Sequence, residues 1–343
     1  MIRPLITRFP FQWPRPASIA WEGDVLVDWV GGGKGWLSDG TAKPRDRFYG
    51  GSFDRALISP SGRFSAVYAE RQTKALILER GELLREIDRS YYRADSFAYP
   101  IALGRLPDGR EVLAHCPKEY NVIEIEDLAT GRRLTPRRGK AEDIFHSRLS
   151  FSPDGRHLLS AGWFWHPWNA VCIFDVALAL DNPRSLDRLN GEMTLLHNSV
   201  SEREARSACW LDSDRLLVTT DTWDLEDEDE GEDGEPDDTA LPKGSSGIWS
   251  VSNNAWLSRE TDWNPQGSLQ ACGGGALYVE DGCPHWWLPG GGAPLRWPDI
   301  TVLQPDEPER HGIVFDSPLL AAHPTERRFA AVTETGIVIV ELG

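Results

Sequence analysis

The chain has 343 residues and a formal net charge of −17, from 36 lysines and arginines against 53 aspartates and glutamates. This length suits two ordinary domains, or one large all-β or repeat domain. With 40% hydrophobic and 26% charged residues, the composition is that of a globular rather than a disordered protein. The acidic balance argues against nucleic-acid binding, which relies on clustered lysine and arginine, and it favours a basic partner.

The amino-terminal residues 1–10 lack the apolar core of a secretory signal. No apolar run approaches the ~18 residues that a membrane span needs, so we expect a cytoplasmic protein without membrane association. The marked excess of arginine over lysine is typical of a GC-rich bacterial genome. The cysteines are scattered and form no C-x-x-C pair, which favours reduced, buried thiols over disulfides or a zinc site.

The first predicted element in chain order is a lone strand, Leu5–Phe9, bounded by Pro4 and Pro10. After it, one kind of turn recurs along the chain. In this turn proline presets φ at the first corner, aspartate or serine caps the turn, and glycine adopts the positive φ. The clearest copies are residues 59–63 (SPSGR), 106–110 (LPDGR) and 152–156 (SPDGR). Weaker copies lie at residues 21–24, 211–215, 272–276 and 323–327.

Short apolar runs flank each turn, so each copy predicts a β-hairpin that a third strand, and often a fourth, follows. Seven such units of about 49 residues are typical of a β-propeller. The last unit ends after its third strand, and Leu5–Phe9 would supply its missing outer strand. We therefore predict one all-β domain over residues 1–343: a seven-bladed β-propeller of four-stranded antiparallel blades, with the ring closed by the N-terminal strand. Degenerate first and sixth units leave six or eight blades as alternatives.

The recurring turn resembles the Ser-Pro-Asp-Gly-Lys/Arg hairpin of the WD-repeat and WD-repeat-like propeller families. The likeness is greatest in the fourth unit, where residues 149–159 (LSFSPDGRHLL) lead to Val171–Asp175. There Phe174-Asp175 stands where a WD repeat has Trp-Asp, although the Gly-His dipeptide of strict WD repeats is absent. The resemblance implies a propeller fold and leaves the function open.

An aromatic loop, Gly162–Asn169, lies between the second and third predicted strands of the fourth unit and holds four aromatic residues. Tryptophan often dominates the binding energy of protein interfaces, and aromatic rings also stack on sugars and bases. The alternative is that these rings pack over the propeller face and its neighbouring blades. The residues that we predict to contact a partner are Trp163, Phe164, Trp165, His166 and Trp168.

An acidic segment, Asp224–Asp238, lies at the same connection of the fifth unit, and 11 of its 15 residues are acidic. Charge repulsion and the lack of apolar side chains predict a disordered insertion at about residues 224–246. Equivalent connections of neighbouring blades emerge on one face, so the segment should lie beside the aromatic loop. Its acids predicted to contact a basic partner are Asp227, Glu228, Asp229 and Glu230. The alternatives are a solvated loop without a partner and, less favoured because no helices flank it, a calcium loop.

The sequence contains no nucleophile elbow, P-loop, dinucleotide fingerprint or H-E-x-x-H zinc motif, and its eight histidines show no ligand spacing. We therefore expect no catalytic residues, no metal and no cofactor. The predicted function is a protein–protein interaction module or scaffold, either a monomer or a subunit of a hetero-complex. One version is an acidic antagonist of a basic partner such as a toxin. The alternatives are a propeller enzyme, a hydrolase or lyase with its site at the central funnel, and a carbohydrate-binding propeller.

Overall fold

A computed structural model of the protein describes residues 4–10, 15–44, 49, 53–164, 168–188, 205–220, 241, 244–265, 267–304 and 318–342. Nearly all regular structure in these residues is β-strand, and it forms seven antiparallel sheets arranged as the blades of a propeller. The seven-bladed β-propeller predicted from the recurring turn is therefore confirmed. Among the described residues, no helix has the length and hydropathy that crossing a bilayer requires.

The chain begins with β1 (Leu5–Pro10) and then builds one blade after another. Blade one contains β2 (Ala20–Glu22), β3 (Val25–Asp28), β4 (Lys34–Trp36) and β5 (Ala42–Lys43). Blade two contains β6 (Arg55–Ile58), β7 (Phe64–Tyr68), β8 (Lys74–Glu79) and β9 (Glu82–Asp88). Blade three contains β10 (Ile101–Arg105), β11 (Glu111–His115) and β12 (Glu124–Asp127), with Arg133 bridged to Glu126 at the place of a fourth strand.

Blade four contains β13 (Ser150–Phe151), β14 (His157–Phe164) and β15 (Trp168–Asp175), followed by helix α1 (Val176–Asp181) and a 3-10 helix (Pro183–Asp187). Residues 189–204, between this 3-10 helix and blade five, lie outside the described residues. Blade five contains β16 (Ala205–Trp210), β17 (Arg215–Thr220), β18 (Ser246–Ser250) and β19 (Ala255–Glu260). Blade six contains β20 (Gln270–Cys272), β21 (Gly275–Glu280), β22 (Cys283–Trp287) and β23 (Leu295–Arg296). Blade seven contains β24 (Leu320–Ala322), β25 (Arg328–Val332), β26 (Gly336–Glu341) and β1.

The N-terminal strand closes the ring. β1 pairs antiparallel with β26 from Leu5 opposite Glu341 to Pro10 opposite Gly336, so the last blade takes its outer strand from the start of the chain. This pairing confirms the predicted closure. It also covers an edge that would otherwise present unpaired backbone groups to solvent.

The recurring turn has the chemistry that its residues predict. In blade four, the Ser152 hydroxyl accepts a hydrogen bond from the backbone N–H of His157 at 3.0 Å. Gly155 has a φ of +71° and lies against the backbone of Arg105 in the neighbouring blade, where a Cβ would overlap the Arg105 carbonyl. Glycine is therefore required both for the turn and for the contact between the blades.

Tryptophan side chains join neighbouring blades. The Trp21 indole in blade one donates to the Ala321 carbonyl of blade seven at 3.0 Å. The Trp210 indole in blade five likewise donates to the Ser150 carbonyl of blade four at 3.2 Å. A large ring with one donor suits this place, because it fills the space between two sheets and satisfies a carbonyl of the adjacent blade.

All five thiols are free, as their scattered spacing predicts. Burial raises the pKa of the Cys209 and Cys272 thiols to about 12, so both remain protonated. Cys116 and Cys172 are also buried, whereas Cys283 is partly exposed. Four of the cysteines therefore act as small core residues.

Candidate functional site

The two faces of the propeller carry different connections. The first strand of each blade lies nearest the axis, where β2 contacts β6 on one side and β24 on the other. Because neighbouring strands of a blade run antiparallel, the recurring turns all lie on one face, here called the hairpin face. The connections from second to third strands, and from one blade to the next, lie on the opposite face, here called the loop face. The strand ends that lead into the aromatic loop and the acidic segment, at Phe164 and Thr220, therefore both lie on the loop face.

Trp163 is the one residue of the predicted aromatic site whose side chain the structure describes. It is 6% exposed, and its ring stacks on Phe145 at 4.0 Å between centroids and an angle of 4°. The two backbones pair as well, with Phe145 N–H donating to the Trp163 carbonyl at 2.8 Å and Trp163 N–H to the Phe145 carbonyl at 3.0 Å. Gly162 permits this pairing, since a Cβ there would overlap the Phe145 carbonyl oxygen. Trp163 thus packs at the base of the loop.

The other predicted contacts of the aromatic loop are placed only in part. The backbones of Phe164 and Trp168 pair at the ends of β14 and β15. Trp165 and His166 lie outside the described residues. Partner binding by these residues therefore stays a prediction.

The Phe145–Trp163 stack continues outward as an aromatic column formed by Trp163, Phe145, Tyr120 and Tyr92. Tyr120 stacks on Phe145 at 4.3 Å and 21°, and Tyr92 lies 5.1 Å from Tyr120 at 37°. The column begins in the core and ends in solvent, where Tyr92 is 50% exposed and the adjacent Tyr91 is 84% exposed. We call Tyr91, Tyr92 and Tyr120 the tyrosine patch.

A buried arginine fixes the segment that carries Tyr91 and Tyr92. Arg89 is 4% exposed, and its guanidinium lies over the rings of Phe97 at 4.6 Å and Tyr99 at 4.9 Å. Burial lowers the pKa of Arg89 to about 10, so the side chain remains charged at neutral pH. Its N–H groups donate to the carbonyls of Glu70, Gln72, Ala94, Phe97 and Ala98. The turn at residues 90–99 is therefore built around one cation, which holds the two exposed tyrosines outside it.

Acidic groups border the tyrosine patch. The Tyr120 hydroxyl donates to Asp143 Oδ1 at 2.6 Å. Burial and the neighbouring charges of Asp143 and Glu119 raise the pKa of Tyr120 to about 12, so the hydroxyl keeps its proton. Asp143 and Glu119 are both exposed. The patch therefore combines aromatic faces with negative charge.

Both ends of the acidic insertion are anchored in the fold. Thr220 N–H donates to the Ser245 carbonyl at 3.0 Å, and Ser245 N–H donates to the Thr220 hydroxyl at 3.0 Å. Leu241 is fully buried in the same apolar cluster as Ala161 and Val171, which belong to the strands that bear the aromatic loop. β18 begins at Ser246, and the preceding Ser245 is buried.

The acids predicted to contact a partner lie outside the described residues, namely Asp227, Glu228, Asp229 and Glu230. Their contacts therefore stay a prediction. The anchors at Thr220, Leu241 and Ser245 nevertheless fix the two ends of the segment beside the blade that carries the aromatic loop.

The described strands nearest the axis carry few acid–base side chains. The first strands of the blades contain no histidine, and Glu22 is their one carboxylate. Buried His146 lies with Nδ1 3.0 Å from the Ser160 hydroxyl, and burial lowers its pKa to about 3, so it is a neutral core group. Within the described ranges, no group of three or more histidine, cysteine or acidic side chains has the geometry of a metal site.

Sequence reasoning missed the tyrosine patch. Its one signal was the adjacent pair Tyr91-Tyr92 in a connection longer than a hairpin needs, between the strands that end at Asp88 and begin at Ile101. Nothing in the sequence shows that this connection meets Tyr120 and Phe145, because those residues belong to other blades. The fold alone brings them together.

The similarity of this chain to known proteins is a similarity of fold. No family model matches the chain, and no curated protein matches it in sequence. A chain in the crystal structure of the mitotic checkpoint complex superposes with a TM-score of 0.55, over 98% of this chain and 90% of that chain, at 12% identity. Chains of solved structures with a similar fold number 911, so the likeness identifies a widely used architecture rather than one activity.

Proposed function

We propose that this chain is a protein-interaction propeller that binds a basic protein partner through its loop face. The observation that carries the proposal is the exposure of Tyr91 and Tyr92 at the outer end of a stacked aromatic column. Tyrosine supplies a large, rigid contact area at low entropic cost and is enriched at binding hot spots. The likeness in fold to a chain of a multi-protein assembly is consistent with such a module.

The rigid support beneath the patch favours a binding role over incidental exposure. Phe145 and Trp163 fix the inner end of the column, and Arg89 fixes the turn that carries its outer end. A preorganised surface loses little conformational freedom on binding, so more of the contact energy appears as affinity. The aromatic loop, with Phe164 to Trp168, would extend this surface on the next blade.

Charge indicates the kind of partner. The acidic segment carries most of the net negative charge of the chain, and Asp143 and Glu119 add carboxylates at the patch itself. Such a surface attracts a basic partner, raises the rate of encounter and makes the rate sensitive to salt. An antagonist that sequesters a basic protein such as a toxin is one form of this function.

Two finer assignments belong to the same proposal. The recurring turn and the pair Phe174-Asp175 support placing the chain among the WD-repeat-like propellers. The five free thiols support a reducing compartment, and hence the cytoplasm. In this setting the chain would act as a scaffold, or as one subunit of a hetero-complex.

The experiment compares the proteins captured from the native host by four purified forms of the chain. These are the wild type, a form lacking residues 224–238, the Tyr91→Ala/Tyr92→Ala variant, and a Leu257→Ala/Leu295→Ala control that removes exposed apolar side chains from outer strands. We expect one basic protein to be retained by the wild type and the control and reduced in the other two forms. Its retention should fall as salt is raised. The same proteins on all four forms, or retention that ignores salt, would contradict the proposal.

A further inference from the structure

Arginines of this chain repeatedly lie on aromatic rings. The guanidinium of Arg328 lies 4.6 Å from the ring centre of Trp21, and its Nη2 contacts Asp24 Oδ1 at 2.7 Å. A ring below the cation and a carboxylate beside it therefore hold this side chain together. Such an arrangement combines a cation–π contact with a charge-assisted hydrogen bond.

The tyrosine patch has the ring and the carboxylate of that arrangement. Tyr92 and Tyr120 lie 5.1 Å apart, and Asp143 accepts the Tyr120 hydroxyl through Oδ1. Across the part of the chain that the structure describes, no lysine or arginine lies over either ring, and none forms an ion pair with Asp143. Among the described residues, therefore, no cation takes at the patch the place that Arg328 takes at Trp21.

We infer that the patch binds the guanidinium of an arginine in the partner protein, stacked on Tyr92 beside Tyr120 and hydrogen-bonded to Asp143. This inference rests on the proposed function and specifies the side chain that the loop face recognises. The Tyr120 hydroxyl occupies one lone pair of Oδ1, so the Asp143 carboxylate keeps Oδ2 available for an incoming N–H donor.

Arginine fits the patch better than lysine for physical reasons. A guanidinium is flat and weakly hydrated, so it stacks on an aromatic ring at little desolvation cost. It also presents two parallel N–H groups to a carboxylate, whereas an ammonium acts as a strongly hydrated point charge. The chain itself uses guanidinium stacking at Trp21, Phe97 and Tyr99.

The test uses the full chain labelled with fluorotyrosine, with the seven tyrosine signals followed by fluorine NMR. The probes are N-acetyl-arginine amide, its lysine and citrulline equivalents, and methyl glucoside. We expect arginine amide to shift the Tyr120 and Tyr92 signals saturably, lysine amide to bind about threefold more weakly, and the two neutral probes to give no shift. Asp143→Asn should weaken arginine binding about threefold, as expected for an exposed ion pair.

Two further variants separate ring stacking from general loss of structure. Tyr92→Phe keeps the aromatic face and should retain the shift of the Tyr120 signal, whereas Tyr92→Leu should lose most of it. Asp39→Asn removes an exposed carboxylate of blade one and should change nothing. Any one of three results would overturn the inference. These are equal shifts with the arginine and citrulline probes, undiminished arginine binding by Asp143→Asn, and no shift of the Tyr120 signal up to high millimolar arginine amide. A shift with methyl glucoside alone would likewise overturn it and indicate a carbohydrate site.

The inference and the proposed function can fail separately. If arginine amide does not bind but capture of a basic partner still depends on Tyr91 and Tyr92, the recognised side chain is wrong and the interaction face stands. If arginine amide binds but no captured protein depends on these tyrosines, the patch is a guanidinium site and the proposed function fails.

Discussion

The rings of Phe145 and Trp163 lie parallel, with 4.0 Å between their centroids and 4° between their planes. Phe145 precedes the first strand of blade four, and Trp163 lies near the end of the second strand of that blade. Their stack therefore ties the start of the blade to the base of the aromatic loop. It also supports Tyr120 and, through it, the exposed Tyr92.

Removing the Phe145 ring should destabilise the fold. Phe145 is 1% exposed, so Phe145→Ala leaves a cavity and should lower the free energy of unfolding by about 3 kcal/mol. Gly162→Ala should also destabilise, because the new Cβ would overlap the Phe145 carbonyl. Chemical denaturation measures both, with Tyr91→Ala as the control that should change stability by less than about 0.5 kcal/mol. A loss below about 1 kcal/mol for Phe145→Ala would mean that the column does not support the fold.

Replacing Arg89 should loosen the turn that carries the tyrosine patch. A lysine ammonium has three N–H donors on a single nitrogen, fewer than the five carbonyls that the Arg89 guanidinium reaches, so Arg89→Lys leaves buried carbonyls unsatisfied and should cost about 2 kcal/mol. Hydrogen exchange at the amides of residues 90–99 should become faster while exchange in the core strands of blade five stays unchanged. The control Arg63→Lys alters a more exposed arginine on the hairpin face. Unchanged exchange at residues 90–99 in Arg89→Lys would show that this cation does not organise the turn.

Deleting the acidic segment should leave the fold intact. Thr220, Leu241 and Ser245 all lie outside residues 224–238, so the deletion should change the free energy of unfolding by no more than about 1 kcal/mol. Leu241→Ala removes a buried side chain between blades four and five and should cost about 3 kcal/mol. Denaturant unfolding of both variants measures these changes in the free energy of unfolding. A deletion as destabilising as Leu241→Ala would mean that the segment itself contributes to the core.

His146 should make stability depend on pH. Burial, together with the charge of Arg137, lowers its pKa to about 3 in the folded protein, against an ordinary value near 6.5 in the unfolded chain. Between these values only the unfolded chain takes up the proton, so this contribution is complete above pH 6.5 and is lost as the pH falls. The free energy of unfolding should therefore decrease as the pH is lowered from 7 to 5, a range that lies above most carboxylate titration. The slope should be shallower in His146→Gln than in the wild type, and equal slopes in the two forms would contradict this assignment.

The fold was accessible to sequence reasoning because its signals are local. The turn Ser152–Arg156 contains within five residues the chemistry that makes a hairpin, and an isolated strand at Leu5–Phe9 matches a blade that lacks one. Seven repeats of a local signal then define the ring.

The site was less accessible because its contacts join separate blades. Tyr92 and Tyr120 come from two different connections and Trp163 from the end of β14, and no spacing in the sequence relates them. Tryptophan serves equally as a core ring or as a binding group, so the sequence left the burial of Trp163 open, and tertiary contacts decide it. The role of Arg89 is hidden for the same reason, since its backbone partners meet only in the fold.

The most direct test of the central claim is a binding measurement with the partner that the capture experiment identifies. The dissociation constant of the purified pair should rise about tenfold or more in Tyr91→Ala/Tyr92→Ala, because the loss of two exposed hot-spot rings costs more than about 1.4 kcal/mol. It should stay unchanged in Leu257→Ala/Leu295→Ala. An affinity unaffected by the loss of both tyrosines would contradict the claim that the loop face binds the partner through the tyrosine patch.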